Sequence, residues 1–408
     1  MGPKPVARAG RPADAQKDVP MKPIREARSR PAGAIPVLAA LAAVLGVAPA
    51  LSAPCYPFDL PQAVGSPSEP QEAVRCGHVV KPTVDMSGLF SFYGPGASQS
   101  VVDREKMGAY VRRINGMERF KGAIFLWLTR YEREPARRAG AARCLQEMLV
   151  AWARAGAMLE GHDRNDANGR RQAALLASWT AIGAVNGFQA ADRGEWPAGE
   201  RAQVLAWFGR LSEAIGGGFP ELPPSPRASG WSKPTTNHAH WGATALAMLA
   251  IARGDEGGVD LAAFQLGRAL GTATAEGAMP QELRRGGKAL HYQIFALDAI
   301  ALLVRVVEAN GRELTGAQAS QLAAVTRFTL DAWDDPSLLR AYSPKPQEMP
   351  KALPSFVELL RDHFRHADPA ISHRLECAAA KLGPLSSPFI AMNISDRVSP
   401  PQPGACAH

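Results

Sequence analysis

Helical periodicity constrains this chain more than any other feature. Beyond residue 101, apolar residues recur at helical spacing almost throughout, and alternating β-strand patterns are nearly absent. The spacing predicts helices over about 102–116, 120–133, 136–158, 170–190, 198–216, 236–253, 259–276, 288–310, 316–333, 354–364 and 368–381. Ala-rich helices with short connections favour successive antiparallel hairpins. No strict repeat period is present, so we predict an all-α fold, either an α-solenoid or a closed helical toroid.

The amino-terminal region has the pattern of an export signal. Residues 1–33 hold eight basic and three acidic residues, and so contribute +5 to the net charge of +8. A short apolar run follows at 34–47, and small residues occupy positions 48–53. This order predicts a signal peptide over residues 1–53, cleaved near Ala50 or Ala53, and a periplasmic or secreted protein. An uncleaved anchor is the alternative, but the run is shorter than the roughly 20 residues of a spanning helix.

The remaining chain carries a charge of only +3, which disfavours nucleic-acid binding. No later segment is long and apolar enough to suggest a membrane span, so we expect no stable membrane insertion after signal removal, and a monomer. The Pro-, Gly- and Ser-rich residues 54–100 predict an extended arm with a lid-like loop. Residues 101–385 are then the helical domain, and residues 386–408 a Pro-rich tail.

Five cysteines are scattered along the chain, at positions 55, 76, 144, 377 and 406. Their spacing does not fit a zinc ribbon. In an oxidising compartment some of them would pair, although the pairing cannot be read from the sequence. The odd number leaves one thiol over, with Cys55 and Cys406 as the candidates.

The first informative motif begins at Thr235-Thr236-Asn237-His238. Pro234 and the threonines predict a helix start, with Thr235 or Thr236 as the N-cap. Asn237 and His238 then lie in the first turn, where free N–H groups and the helix dipole favour an anion. Helical spacing places His238 on the buried face and turns His240 away, so metal binding by the pair is disfavoured. A hydrogen-bonded histidine at a helix start is the ordinary alternative.

The second motif runs from Met279 to Leu297. Arg284 and Arg285 precede a Gly-Gly break, and a helix with Tyr292 in its first turns follows. A guanidinium group pairs bidentately with a carboxylate, so this loop could bind an acidic ligand. Taken alone, solvated arginines and a tyrosine packed in the core would explain the segment equally well.

Together the two motifs resemble those of alginate lyases of the polysaccharide lyase family 5 type. The family's Asn-Asn-His-x-x-Trp motif is matched by Thr236 to Trp241, and its Leu-Pro-x-Glu to Arg-Ala-Leu-x-Tyr stretch by Met279 to Tyr292. The family's Arg-to-Tyr spacing is kept by Arg285 and Tyr292. Thr236 and His240 depart from the first motif, and the Gly286–Lys288 stretch departs from the second.

The resemblance implies an (α/α) toroid, or incomplete barrel of antiparallel helix hairpins, with a groove for an acidic polysaccharide. It also implies β-elimination on a 1,4-linked polyuronate, most simply mannuronate-containing alginate, without a metal or other cofactor. The implied catalytic residues are Asn237, His238, Arg285 and Tyr292, with Tyr292 as base and acid and His238 as the alternative base. The implied substrate-binding residues are Arg284, Trp241 and Tyr93, the last from a loop that lies where the family has a lid.

Two other functions stay open at this point. A glycoside hydrolase on a helical toroid would need two facing carboxylates, for which Glu282, Asp298 and Asp334 are candidates. A catalytically silent polyuronate-binding or export scaffold protein would need no tyrosine beside arginine and histidine.

Overall fold

A computed structural model describes residues 53–61, 72–94, 101–223, 235–350 and 354–395. Within these ranges the chain is almost entirely helical, with one two-stranded sheet. The helices are α1 Arg104–Arg133, α2 Arg138–Arg154, α3 Ala167–Ala191, α4 Glu200–Gly218, α5 Asn237–Ala252, α6 Gly257–Gly271, α7 Pro280–Leu283, α8 Ala289–Ala309, α9 Gly316–Asp334, α10 Phe356–Leu359, α11 Arg361–Ala367 and α12 Pro369–Leu382. Short 3₁₀ stretches span Pro135–Arg137, Gly286–Lys288 and Pro336–Ala341, and the strands are β1 Ser386–Ser387 and β2 Met392–Asn393.

The helices form two layers. Helices α1, α3, α5 and α8 pack against one another in series and form the inner layer, while α2, α4, α6 and α9 pack outside them. Most side chains of α3, α5 and α8 are buried, because these three inner helices are covered on several sides. Such helices are apolar all round, whereas the outer ones carry a polar face. The predicted all-α class of hairpins arranged as a toroid is confirmed.

Side-chain caps mark the starts of four helices, α1, α3, α9 and α12. The side chains of Asp103, Asp166 and Asp368 accept hydrogen bonds from backbone N–H groups of the turns that follow them. At α9 the capping is reciprocal, since Thr315 accepts from the backbone of Gln318 and the Gln318 side chain accepts from the backbone of Thr315.

Several predicted helix boundaries are wrong. Helix α2 ends at Arg154 and not at 158, and α6 ends at Gly271 and not at 276. The predicted break between 116 and 120 does not exist, because α1 runs unbroken from Arg104 to Arg133. Gly116 lies at this point of α1, and a Cβ there would collide with the Thr83 hydroxyl, so the glycine lets the arm approach the helix. The predicted helix over 354–364 is instead the short α10 followed by α11.

The arm at 72–94 is fastened along α2 and the loop after it. A disulfide joins Cys76 to Cys144, and the indole of Trp152 donates to the carbonyl of Val80 at 2.9 Å. Further on, the amide of Met158 donates to the carbonyl of Thr83 at 2.7 Å. These contacts direct the arm towards the inner helices. Of the predicted spare thiols, Cys55 is free and exposed, and Cys406 lies outside the described residues.

The carboxyl-terminal segment differs from the predicted Pro-rich tail. Residues 386–395 fold back as the β1–β2 hairpin, in which Ser387 pairs with Met392. Ile390, Met392 and Ile394 are buried in the core, and this burial explains why the segment is ordered. The rest of that tail, residues 396–408, and the predicted signal peptide up to residue 52 lie outside the described residues.

One described stretch, Gly286–Ala309, is apolar and long enough to cross a bilayer by length and composition. The prediction that no segment after the signal peptide has this property is therefore wrong. Of its most apolar window, 89% is buried inside the protein. Its hydrophobicity is therefore accounted for by its central place in the inner layer.

Candidate active site

A cleft opens where the inner helices meet the end of the arm and the carboxyl-terminal hairpin. Its volume is about 170 Å³. Residues from four helices, two loops and the hairpin turn line it: Ser91, Phe92, Tyr93, Tyr110, Asn168, Arg171, Gln172, Leu175, Trp179, His238, Arg285, His291, Tyr292, Phe295 and Phe389. Four of the seven site residues named by the sequence motifs, Tyr93, His238, Arg285 and Tyr292, are thus brought together, although they are up to 199 positions apart.

Tyr292 is the most closely contacted of these four. Its hydroxyl donates to the hydroxyl of Tyr93 at 2.7 Å, and the guanidinium carbon of Arg285 lies 4.4 Å from its ring centroid. Burial raises the pKa of Tyr292 well above its ordinary value, and the hydrogen bond to Tyr93 acts in the same direction. The charge of Arg285 lowers that pKa but does not outweigh burial. The phenol of the unliganded protein is therefore protonated at neutral pH.

Tyr93 is held at the cleft by the arm. The amide of Gly94 donates to the carbonyl of Val101 at 2.9 Å, and the amide of Asp103 donates to the carbonyl of Phe92 at 3.0 Å. The ammonium group of Lys288 lies 5.6 Å from the Tyr93 ring centroid and adds positive charge to this side of the cleft. The predicted lid-like loop thus reaches the cleft through its described residues 90–94.

His238 and His240 point in different directions, as their helical spacing predicts, but the predicted burial is wrong, because His240 is 2% exposed and His238 is only half-buried. Burial, together with the charges of Arg171 and Arg285, lowers the pKa of His238 to about 3. The half-buried imidazole is therefore neutral and faces the cleft. His240 lies behind it, where its Nδ1 is 2.9 Å from Nε2 of Gln265. Since the rings diverge, they cannot share one metal ion.

Asn237 does not line the cleft, contrary to the role in substrate contact that the motif implied. It is 1% exposed, and both its backbone N–H and its side-chain amide donate to the carboxylate of Glu282. Glu282 therefore provides the anion that the start of α5 was expected to bind. Thr236 is the N-cap residue, but its side chain makes no capping hydrogen bond. The Glu282 carboxylate instead accepts from a backbone N–H group at the start of α5.

Two predicted substrate-binding residues lie elsewhere. Trp241 is 1% exposed and packs behind the cleft wall against Trp179 and Phe295, so a sugar cannot reach it. The prediction failed because α5 is apolar all round and its sequence does not show which face meets the cleft. Arg284 is exposed and does not belong to the lining, because the turn after α7 directs only Arg285 inward.

Several lining residues carried no recognisable signal in the sequence. On α3, Arg171 forms an ion pair with Glu221, and the amide of Gln172 donates to the hydroxyl of Tyr110 at 2.8 Å. His291, next to Tyr292, has a pKa lowered by burial and by the Lys288 charge. The polar residues of α3 are scattered in an Ala-rich helix, so periodicity alone could not single them out.

Acidic side chains are absent from the described cleft lining. Glu282 is buried behind it, Asp298 is buried where it accepts from the backbone N–H of Phe356 at 2.7 Å, and Asp334 pairs with Arg374 at 2.8 Å. Among the described residues, no group of three or more His, Cys, Asp or Glu side chains could hold a metal ion. The cleft instead combines two arginines, two histidines and three tyrosines with an aromatic wall.

The chain is similar to several known proteins. The family model described as Alginate lyase matches residues 104–339. An alginate lyase of Pseudomonas paraeruginosa is 26% identical over 245 residues, covering 59% of this chain and 61% of the relative. One of Azotobacter vinelandii is 24% identical over 246 residues, covering 60% and 63%. The aligned region thus spans about three-fifths of the length of these curated relatives.

Solved structures agree on the fold. Alginate lyase A1-III from Sphingomonas species A1 superposes with a TM-score of 0.58 at 17% identity, over 82% of this chain and 90% of that one. A tyrosine-to-phenylalanine variant of alginate lyase A1-III, complexed with a tetrasaccharide, gives 0.61 at 16% identity, over 81% and 89%. The fold is a helical toroid that these solved structures share. The chain belongs to the alginate lyase family.

Proposed function

We propose that the protein is an exported polysaccharide lyase that cleaves a 1,4-linked polyuronate by β-elimination. Its proposed main substrate is mannuronate-containing alginate. One observation carries the proposal. The Tyr292 hydroxyl, the Arg285 guanidinium and the His238 imidazole share one cleft whose described lining holds cationic groups and no carboxylate. Such a cleft attracts a polyanion and offers proton-transfer groups to it.

In the proposed reaction, the C5–H and C4–O bonds of a uronate residue break and a C4=C5 double bond forms. The C5 proton is weakly acidic while the adjoining carboxylate is charged. Arg285 pairs with that carboxylate, and the neutral His238 donates a hydrogen bond to it, so both stabilise the charge that develops at C5. The proton leaves C5, and another protonates the departing C4 oxygen. Asn237 acts indirectly, by fixing the start of α5 through Glu282.

Tyr292 is the proposed proton-transfer group. In mannuronate the C5 proton and the C4 oxygen lie on the same face of the sugar, so one phenol can take the first proton and return one to the second. Because its pKa is raised, the resting phenol is protonated and holds a proton that it can donate. Its action as a base depends on the positive charges of Arg285 and Lys288 around the two tyrosines. His238, neutral at all pH values above about 4, is the alternative base.

Family relatives support the choice of substrate. The curated relatives are named alginate lyases, and the tyrosine variant of alginate lyase A1-III is complexed with a tetrasaccharide, as is a variant with histidine replaced by alanine. Tyrosine and histidine are also the residue types that we place at the centre of this cleft. Export rests on the amino-terminal sequence pattern, and action as a monomer is part of the same proposal.

The two alternatives account for the cleft less well. A hydrolase would need two facing carboxylates, and the three candidates are buried or paired outside the described lining. A silent binding protein would have no use for a buried phenol fixed between a second phenol and a guanidinium group.

An absorbance assay tests the proposal. Purified mature protein is mixed with polymannuronate, polyguluronate, alginate or glucuronan, and near-ultraviolet absorbance from a 4,5-unsaturated uronate end is followed. We expect the fastest rise with polymannuronate and alginate. No rise on any of the four polymers would refute the lyase function, and a rise only on glucuronan would refute the choice of substrate.

A further inference from the structure

The turn between β1 and β2 inserts an aromatic side chain into the cleft. Phe389 is half-buried and is part of the cleft lining. It comes from a segment beyond residue 339, where the match to the family model ends. The carboxyl-terminal hairpin is therefore an addition to the matched region that reaches the proposed active site.

Several contacts hold this turn in place. The side-chain amide of Asn186 on α3 donates to the carbonyl of Ile390 at 2.8 Å. Ala391 adopts a positive φ of 51°, which non-glycine residues adopt only when their surroundings impose it. Its Cβ packs against Gly183, where a Cβ would lie 3.1 Å away, so a larger residue at 183 would push the turn outward. The base of the hairpin is fixed by the Ser395 hydroxyl, which donates to Glu358 at 2.7 Å.

The Phe389 ring completes an apolar wall. Its centroid lies 4.8 Å from that of Trp179 and 5.4 Å from that of Phe295, and both neighbours also line the cleft. The ring planes are tilted by 46° and 66°, so the neighbours do not lie flat against Phe389. The lining of the cleft thus has an apolar aromatic part and a polar part made of the cationic and phenolic groups.

This division matches the two-sided chemistry of a uronate ring. A pyranose presents a face of C–H groups, while its carboxylate and hydroxyl groups point to the side. Aromatic rings bind such partly positive C–H groups on their electron-rich faces, and ligand sites commonly combine an apolar wall with a few polar anchors. With the carboxylate held at Arg285, the sugar's C–H face would need an apolar surface nearby.

We propose that the carboxyl-terminal hairpin contributes to substrate binding in the cleft, and that its residue Phe389 binds the C–H face of a uronate ring. Phe389 sets affinity and does not take part in proton transfer. The inference rests on the proposed function for the identity of the sugar, but it concerns binding and is measured apart from turnover.

Binding of a mannuronate tetrasaccharide tests it, measured by calorimetry in a Tyr292→Phe background so that turnover does not interfere. Phe389→Leu keeps most of the volume but removes the planar ring, and should raise Kd about tenfold. Phe389→Tyr keeps the ring and should stay within about twofold of the background. Phe328→Leu is the matched control, because Phe328 is also half-buried but packs on Tyr342 away from the cleft, and should leave Kd unchanged.

An unchanged Kd in Phe389→Leu would overturn the inference. An equal loss in Phe389→Leu and Phe389→Tyr, accompanied by a lower Tm in both, would overturn it too, because the ring would then only support the fold. Turnover by the chain with Tyr292 intact is measured separately. Tetrasaccharide binding without turnover would refute the lyase function and leave the binding result for Phe389 valid.

Discussion

The phenol of Tyr292 donates to the phenol of Tyr93 at 2.7 Å, linking the start of an inner helix to the end of the amino-terminal arm. Arg285 lies beside Tyr292, and its guanidinium carbon is 4.4 Å from the Tyr292 ring centroid. The proposed proton transfer thus involves a residue of the matched family region and one of the arm that precedes it.

Removing the Tyr292 hydroxyl should abolish turnover and retain binding. Tyr292→Phe takes away the proposed acid and base but keeps the ring under Arg285, so we expect kcat to fall by about 1,000-fold or more, with Kd for oligomannuronate nearly unchanged. Tyr93→Phe is the matched control, since it removes only the hydrogen-bond acceptor, and should cost about tenfold. Steady-state kinetics and calorimetry measure the two quantities. Full activity of Tyr292→Phe would contradict the proposed role of Tyr292 in proton transfer.

The pH dependence distinguishes the two possible bases. The raised pKa of Tyr292 means that the phenolate fraction of the free protein increases with pH through the neutral range. With Tyr292 as the base, kcat/KM should therefore rise about tenfold per pH unit between pH 6 and 9. His238, with its pKa near 3, is already neutral over this range and would give a flat profile. A flat profile would transfer the base role to His238.

Glu282 should stabilise the fold through Asn237. Glu282→Ala leaves the backbone N–H and side-chain amide of Asn237 buried without their acceptor, and should lower the free energy of unfolding by about 3 kcal/mol. Glu282→Gln retains one carbonyl oxygen and should lose about half as much. Urea unfolding measures both variants. Equal losses would show that the negative charge at the start of α5, and not hydrogen bonding, is the main contribution.

Asp298 should make the protein less stable as pH rises. Burial raises its pKa to about 8, above its unfolded value near 4, so the folded state binds the extra proton. Stability from this group is complete below pH 4 and is lost as the pH rises to 8. Asp298→Asn keeps an acceptor for the N–H of Phe356 without titrating. Relative to wild type, its free energy of unfolding should improve by roughly 2 to 3 kcal/mol between pH 5 and 7.

Urea unfolding of wild type and Asp298→Asn at both pH values checks this expectation. Other titrating groups cancel in the difference between the two proteins. An identical pH dependence would mean that Asp298 is ionised in the folded state.

The sequence predicted the helices well because the inner helices α3, α5 and α8 need long apolar runs, and α1 and the outer helices need an amphipathic pattern. Two motifs with fixed spacing, which resemble those of a known family, pointed to His238, Arg285 and Tyr292, and the structure brings these three residues into one cleft. Trp241 was wrongly predicted to bind substrate, because the pattern of an apolar helix does not show which face meets the cleft. Phe389 was missed because its position depends on a hairpin turn held by tertiary contacts, with no periodic pattern of its own.

The central claim is cleavage by elimination, and the ratio of product ends tests it most directly. In a digest of alginate by the mature protein, unsaturated ends are counted by near-ultraviolet absorbance and new reducing ends by a chemical assay. The account predicts one unsaturated end for every new reducing end. Reducing ends that accumulate without absorbance would contradict it and show hydrolysis instead.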